Sequence, residues 1–190
     1  MKYTFAAAAL FTSVFAQGYC PAPQPTPTPT PQVEYFSVIS ARSASPIHFL
    51  PLQANGGRFF LGGEPSASCP DGVGACPPGN ITSLIGGDGS LSLGSIVPQQ
   101  VYVAIDGTLS YTGTDGAPLP AGAIANMFEK TDPEGSTLGT LSYDTGFLAC
   151  PQTDGRYQVY GQRDGVSFVG TCLGFSAITS DVDGPTAYQY

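Results

Sequence analysis

The chain has 190 residues, of which 42% are hydrophobic and only 11% charged, with 25 glycines, 18 prolines, no tryptophan and a formal net charge of −8. Six basic residues against fourteen acidic ones leave no cationic surface of the kind that nucleic-acid backbones and anionic membranes require, so neither is an expected partner. The length suits one hydrophobic core better than two.

Residues 1–16 read as a secretory signal. Lys2 supplies the positive start, Phe5 to Phe15 the apolar centre, and Val14 and Ala16 the small-residue positions before a cut, which predicts a mature chain beginning at Gln17. Loss of Lys2 leaves five basic residues against fourteen acidic ones, a mature charge of about −9. The apolar run is too short to span a bilayer, no later stretch approaches the ~18–20 apolar residues a spanning helix needs, and the polar C-terminal residues do not resemble a lipid-anchor signal. Residues 17–32 form a Pro/Thr-rich linker in which Pro21 to Gln32 reads PAPQPTPTPTPQ. Proline fixes φ and lacks an amide donor, so this segment is expected to be an extended polyproline II spacer, with Thr26, Thr28 and Thr30 exposed as O-glycan acceptors.

Residues 33–190 are expected to form a single all-β domain. Its first structured stretch, Phe36 to Leu61, contains two apolar runs, Ile47 to Gln53 and Arg58 to Leu61, separated by Ala54-Asn55-Gly56-Gly57. Asn-Gly supplies the positive φ angles of a tight turn, which predicts a β-hairpin. Asp-Gly turn signals follow at Asp71, Asp88, Asp106, Asp115, Asp154, Asp164 and Asp183, and the intervening candidate strands are 100–105, 108–112, 156–160 and 166–169. Only residues 121–130 suggest a helix, and Gly122 with the bounding Pro120 and Pro133 suits a turn or another strand as well. The architecture expected is a compact β-sandwich or closed barrel, with Tyr102, Tyr111, Phe147, Tyr157, Phe168 and Phe175 in its core.

Five cysteines follow the signal, in an oxidising compartment, and leaving one out while pairing the rest allows fifteen arrangements. Cys69 and Cys76 bracket a Gly-rich loop, and Cys20 lies beside the stiff linker, away from the others. The positions favour Cys69 with Cys76 and Cys150 with Cys172, leaving Cys20 as a free thiol or a link to another chain, including a disulfide-linked dimer. Asn80-Ile81-Thr82 is a sequon, just past Cys76-Pro77-Pro78-Gly79, and marks Asn80 as an N-glycan acceptor on an exposed loop.

No catalytic, cofactor or metal constellation emerges. His48 is the sole histidine, and although Ser43 and Ser45 are close in sequence, no Gly-x-Ser-x-Gly elbow accompanies them; a structural histidine is expected. Glu129, Asp132 and Glu134 crowd one turn instead of coming from the separate elements that glycosidase carboxylates occupy. Asp181-Val182-Asp183-Gly184 begins like a calcium loop but has no closing glutamate, and a zinc site would lack its usual Cys-x-x-Cys and second histidine.

Arg42-Ser43-Ala44-Ser45-Pro46-Ile47-His48-Phe49, Gly146-Phe147-Leu148-Ala149-Cys150-Pro151 and Cys172-Leu173-Gly174-Phe175 resemble the motifs of fungal phialide-type cell-wall proteins, also described as IgE-binding proteins. The resemblance extends over most of residues 36–178 and includes Cys69, Cys76 and Gln100-Val101-Tyr102-Val103, although the Ser-Pro-Ile-His octet is its specific part. It implies a secreted, wall-associated structural protein linked to spore-bearing structures, with no catalytic residues to carry over. The alternative is a soluble module that binds wall polysaccharide. Without tryptophan, tyrosines such as Tyr102, Tyr111, Tyr157 and Tyr160 would have to supply its stacking platform.

Overall fold

The computed structural model describes residues 33–190 except Val169. Cys20, Thr26, Thr28 and Thr30 lie outside the described residues.

Among the described residues there is no helix, and thirteen strands join into one curled sheet. They are β1 (Tyr35–Ala41), β2 (Leu52–Asn55), β3 (Arg58–Leu61), β4 (Leu84–Gly86), β5 (Asp88–Gly89), β6 (Leu91–Leu93), β7 (Val101–Val103), β8 (Leu109–Tyr111), β9 (Phe128–Thr131), β10 (Leu138–Tyr143), β11 (Phe147–Pro151), β12 (Tyr157–Gly161) and β13 (Leu173–Val182). The strands are short because turn signals interrupt the chain so often: the glycine of every one of the seven Asp-Gly pairs has a positive φ, although Asp88-Gly89 itself pairs with β9 as the two-residue strand β5 instead of forming a turn.

The long strand β13 organises the sheet. One edge carries β1 along its whole length, from Tyr35 opposite Val182 to Ala41 opposite Ser176. The other edge carries β10 and then β11 in succession, Leu138–Leu141 against Ser180–Ala177 and Phe147–Ala149 against Phe175–Leu173. Between them the chain leaves β13 after Leu141, stays paired with β9 through Tyr143 and turns at 144–146, where Asp144 adopts a φ of 32°. The sheet divides at this excursion. β9 and β5 continue outward from β10, whereas β12, β3, β8 and β7 continue from β11. The curl brings β1 against the start of β2 through a bridge between Ile39 and Pro51, reinforced by Ser40 N–H donating to Leu50 O at 3.0 Å and Phe49 N–H donating to Ser40 O at 2.8 Å. The result is a curled antiparallel sheet, a half-barrel whose strands are further joined by short bridges.

Alternation of buried and less buried residues along β1 and β10 turns Phe36, Val38, Leu141 and Tyr143 inward. They join Phe59, Leu61, Leu93, Val101, Val103, Phe128 and Val159 in one apolar cluster. Its aromatic contacts include Phe59 edge-on to Tyr111 and Phe128 tilted against Tyr143, with centroids 5.4 and 5.1 Å apart. Of the aromatic residues expected in the core, Tyr111 and Phe147 are buried and Tyr157 and Phe175 pack against it from partly buried positions. Tyr102 and Phe168 lie outside the cluster. Pleat alternation explains Tyr102, because Val101 and Val103 on either side of it point inward.

Several local expectations shift. The hairpin turn is Gly56-Gly57, with φ of 58° and 79°, and Asn55 instead pairs with Arg58. Two consecutive positive φ angles are least costly where neither residue has a Cβ. Residues 47–50 form turns, not a strand, with His48 N–H donating to Ser45 O at 3.1 Å and Leu50 N–H to Ile47 O at 3.3 Å. Residues 121–130 hold a turn closed by Ala123 N–H to Pro120 O and then the start of β9. Residues 166–168 form no strand.

Candidate functional site

The Arg42-to-Phe49 octet folds into a compact loop that closes the curl. Ser40, fully buried in β1, donates its hydroxyl to Ile47 O and lies 3.2 Å from Leu50 O, tying the loop to the strand. Ala44 and Phe49 both sit in the left-handed region, with φ of 55° and 63°, at a cost of about 1 kcal/mol or more each for residues with a Cβ. His48 Nδ1 accepts the Arg42 backbone N–H at 3.1 Å, and its ring stacks on Phe49 with centroids 3.8 Å apart. Arg42 reaches across to Gly174 O at 2.7 Å. The octet motif and the Cys172-to-Phe175 motif are thus joined in space. Among the described residues no carboxylate pairs with His48, and the nitrogen that would orient it against one is engaged by a backbone amide.

Both bridges are present, Cys69 to Cys76 and Cys150 to Cys172. The second ties the end of β11 to the entry of β13, next to the Ala149–Leu173 pair, on the side of the excursion where the sheet divides. Asn80 is exposed, but Thr82 of the same sequon is buried. Its hydroxyl accepts the Ala54 N–H at 2.8 Å and donates to Gln53 Oε1 at 3.0 Å. The hydroxyl of the sequon is thus occupied by partners on β2 in the folded chain.

The acidic turn contributes one carboxylate, Asp132, to the cation beside it. Lys130, whose side chain is 7% exposed, pairs with Asp132, stands 3.9 Å from Glu34 and lies over the Phe36 ring at 5.3 Å. A cleft of about 550 Å³ beside it also takes in Asp181 and Asp183. Among the described residues no group of three or more acids, histidines or cysteines is arranged to hold a metal ion.

The four tyrosines do not assemble into a shared platform. Tyr111 is buried with its hydroxyl accepting the Gly57 N–H at 3.0 Å, and Tyr157 packs on the core. Tyr160 instead lines a cleft of about 480 Å³ with Asp106, Cys150, Gln152, Ser167 and Phe168. Phe168 meets Tyr160 edge-on at 5.2 Å. It also covers Gly107 so closely that a Cβ there would come within 2.9 Å of the ring, and Gly107 has a φ of 84°, so both space and backbone require glycine. Asp106, in the turn between β7 and β8, accepts the Thr108 N–H at 3.0 Å. That hydrogen bond holds its carboxyl below the ordinary carboxylate range, while burial, aided by the Asp106 charge, pushes the Tyr160 hydroxyl up. The sequence singled out Tyr160 but missed Asp106 and Phe168 as its partners. The Asp-Gly turn was the only signal there.

A family model described as PhiA-like secreted protein matches residues 36–190. A secreted protein of Arthroderma benhamiae, described as uncharacterized, is 34% identical over 155 residues, covering 74% of this chain and 77% of the relative. No solved structure matches. The matched span takes in the octet loop, both disulfides and the Tyr160–Phe168 cleft, and the chain belongs to the PhiA-like secreted protein family and is itself secreted.

Proposed function

We propose that this secreted protein is a non-catalytic component of the fungal cell wall or cell surface, acting in phialide and conidium development as the resemblance implies. The observation that carries the reading is the state of its sole histidine, which is tied to a backbone amide and stacked on Phe49 within the motif that defines the resemblance. A residue so engaged serves the loop's shape and has no oriented carboxylate to make it a base. Disulfide staples and an acceptor asparagine on an exposed loop suit an extracellular, hydrated matrix. Retention through Cys20 belongs to the same reading: a surplus thiol in a secreted chain provides a reducible link to wall protein or to a second copy. Purified protein mixed with washed fungal walls should sediment with them, and non-reducing gels should show a linked species that Cys20→Ser abolishes. Protein left wholly in the supernatant would refute wall association, and a linked species surviving the substitution would refute the role of Cys20.

A second reading, a soluble module for wall polysaccharide, is favoured by the Tyr160–Phe168 cleft with its neighbouring carboxylate.

A further inference from the structure

Recognition of a sugar in water requires two kinds of group at fixed separation. One is an aromatic surface for the apolar C–H face of the ring; the other is a set of rigid acceptors and donors for its hydroxyls. The cleft between the β7–β8 turn, β11, β12 and the loop preceding Cys172 holds both. Phe168 and Tyr160 are each only partly buried and meet edge-on at 5.2 Å. Asp106 is kept ionised by the Thr108 amide and fixed in position by the same 3.0 Å bond. Gln152, whose amide nitrogen donates to Cys150 O at 3.1 Å and Pro151 O at 3.3 Å, also lines the cleft. Ser167 and Thr171 add exposed hydroxyls at the rim.

We propose that this cleft is a binding subsite for a neutral pyranose unit of a wall polysaccharide, with Phe168 and Tyr160 as the stacking surface and Asp106 as the hydroxyl acceptor. The proposal rests on the wall-association reading and supplies its ligand class. At about 480 Å³ the cleft is in the range of small-ligand sites and large enough for a single sugar ring or the end of a chain. Cys150 forms part of its wall, and the bridge to Cys172 holds β11 to the entry of β13, which fixes one side of the cleft before a ligand arrives. Charge selects the class. Among the described residues the lining carries one exposed carboxylate and no cation, Arg58 acting on Asp106 and Tyr160 from outside it, so on a chain of net charge −8 uronates and phosphorylated sugars are disfavoured, while uncharged hydroxyls are well matched to a charge-assisted acceptor.

The test titrates the full secreted protein with laminarihexaose, chitohexaose, mannohexaose and an anionic oligogalacturonate, read by calorimetry, and repeats the wall sedimentation with each variant. At least one neutral series should bind, with Phe168→Ala weakening it about tenfold and Asp106→Asn, which keeps a side-chain oxygen for the Thr108 amide, weakening it severalfold. Asp132→Asn, in the separate Lys130 cleft, should bind as the parent does. Melting curves of both cleft variants within a few degrees of the parent establish that the fold is retained. Unchanged affinity in both variants, preference for the anionic oligomer, or no binding to any neutral probe would overturn the assignment. If the parent sediments with walls and the cleft variants sediment equally, the cleft is refuted while wall association stands. If the parent does not sediment, wall association fails and the proposal with it.

Discussion

Substitutions within the Asn80-Ile81-Thr82 sequon should separate the glycan from the fold. Asn80→Gln and Thr82→Val both abolish the sequon, so both proteins lack the same glycan. Only Thr82→Val removes a hydroxyl that serves two buried partners, the Ala54 N–H at 2.8 Å and Gln53 Oε1 at 3.0 Å, on residues 0% and 5% exposed. Valine preserves the shape, so the cost is that of orphaned polar groups, about 1–3 kcal/mol for a buried donor and less for an amide oxygen able to find another donor. A total of about 2–3 kcal/mol corresponds, in a domain of this size, to a melting temperature lower by roughly 4–12 °C. Differential scanning calorimetry of the two secreted variants and of Thr82→Ser, which retains both the sequon and the hydroxyl, provides the comparison. Thr82→Val should melt well below Asn80→Gln, and Thr82→Ser should be glycosylated with a melting temperature near that of the parent. Equal melting temperatures for Asn80→Gln and Thr82→Val would refute the structural role assigned to the hydroxyl.

The Cys150–Cys172 loop spans 22 residues and the Cys69–Cys76 loop 7, for which chain-entropy arithmetic gives roughly 3.4 and 2.4 kcal/mol. Under oxidising conditions Cys150→Ser should therefore melt a few degrees below Cys69→Ser, and the reverse order would contradict this account. Asp106 has a folded-state pKa below its unfolded value, so its contribution to stability is fully present above the ordinary carboxylate range and is lost as pH falls through the lowered value. The melting-temperature advantage of the parent over Asp106→Asn should be present at neutral pH and shrink in acid; an advantage independent of pH would show that the charge is not its source. His48→Ala removes only the acceptor of the Arg42 amide and a stacked ring, so it should cost about 1 kcal/mol and leave any background hydrolysis of esters or glycosides unchanged. Parent activity that disappears in the variant would refute the non-catalytic reading.

The all-β character was legible because short apolar runs lay between turn signals and the one stretch that suggested a helix, 121–130, carried Gly122 between Pro120 and Pro133; β1, with its inward Phe36 and Val38, was not among the strands the sequence singled out. The disulfides followed from the positions of the cysteines, with Cys20 set apart beside the linker. The hairpin was correctly located but its turn was displaced by one residue, since Asn55-Gly56 and Gly56-Gly57 both satisfy the local rule and only the ladder partner of Arg58 decides between them. The candidate cleft was largely illegible because its contacts are remote in the chain: Phe168 covers Gly107 and Tyr160 faces the Asp106 charge. Thr82 is a similar case. Its partners Ala54 and Gln53 lie 28 and 29 residues earlier, and the sequon supplied a complete local explanation for a threonine that also has a structural one. The curl of the sheet was not legible either, because it follows from the successive pairing of β10 and β11 with the single strand β13, a long-range arrangement that no periodicity in the sequence marks.

The most direct measurement is fractionation of cells secreting an epitope-tagged protein into culture medium, detergent-soluble material and washed wall, before and after reduction. The account predicts a wall-bound fraction that survives detergent, part of it released by reductant and lost in Cys20→Ser. Protein found entirely in the medium, with none in the washed wall under either condition, would contradict it.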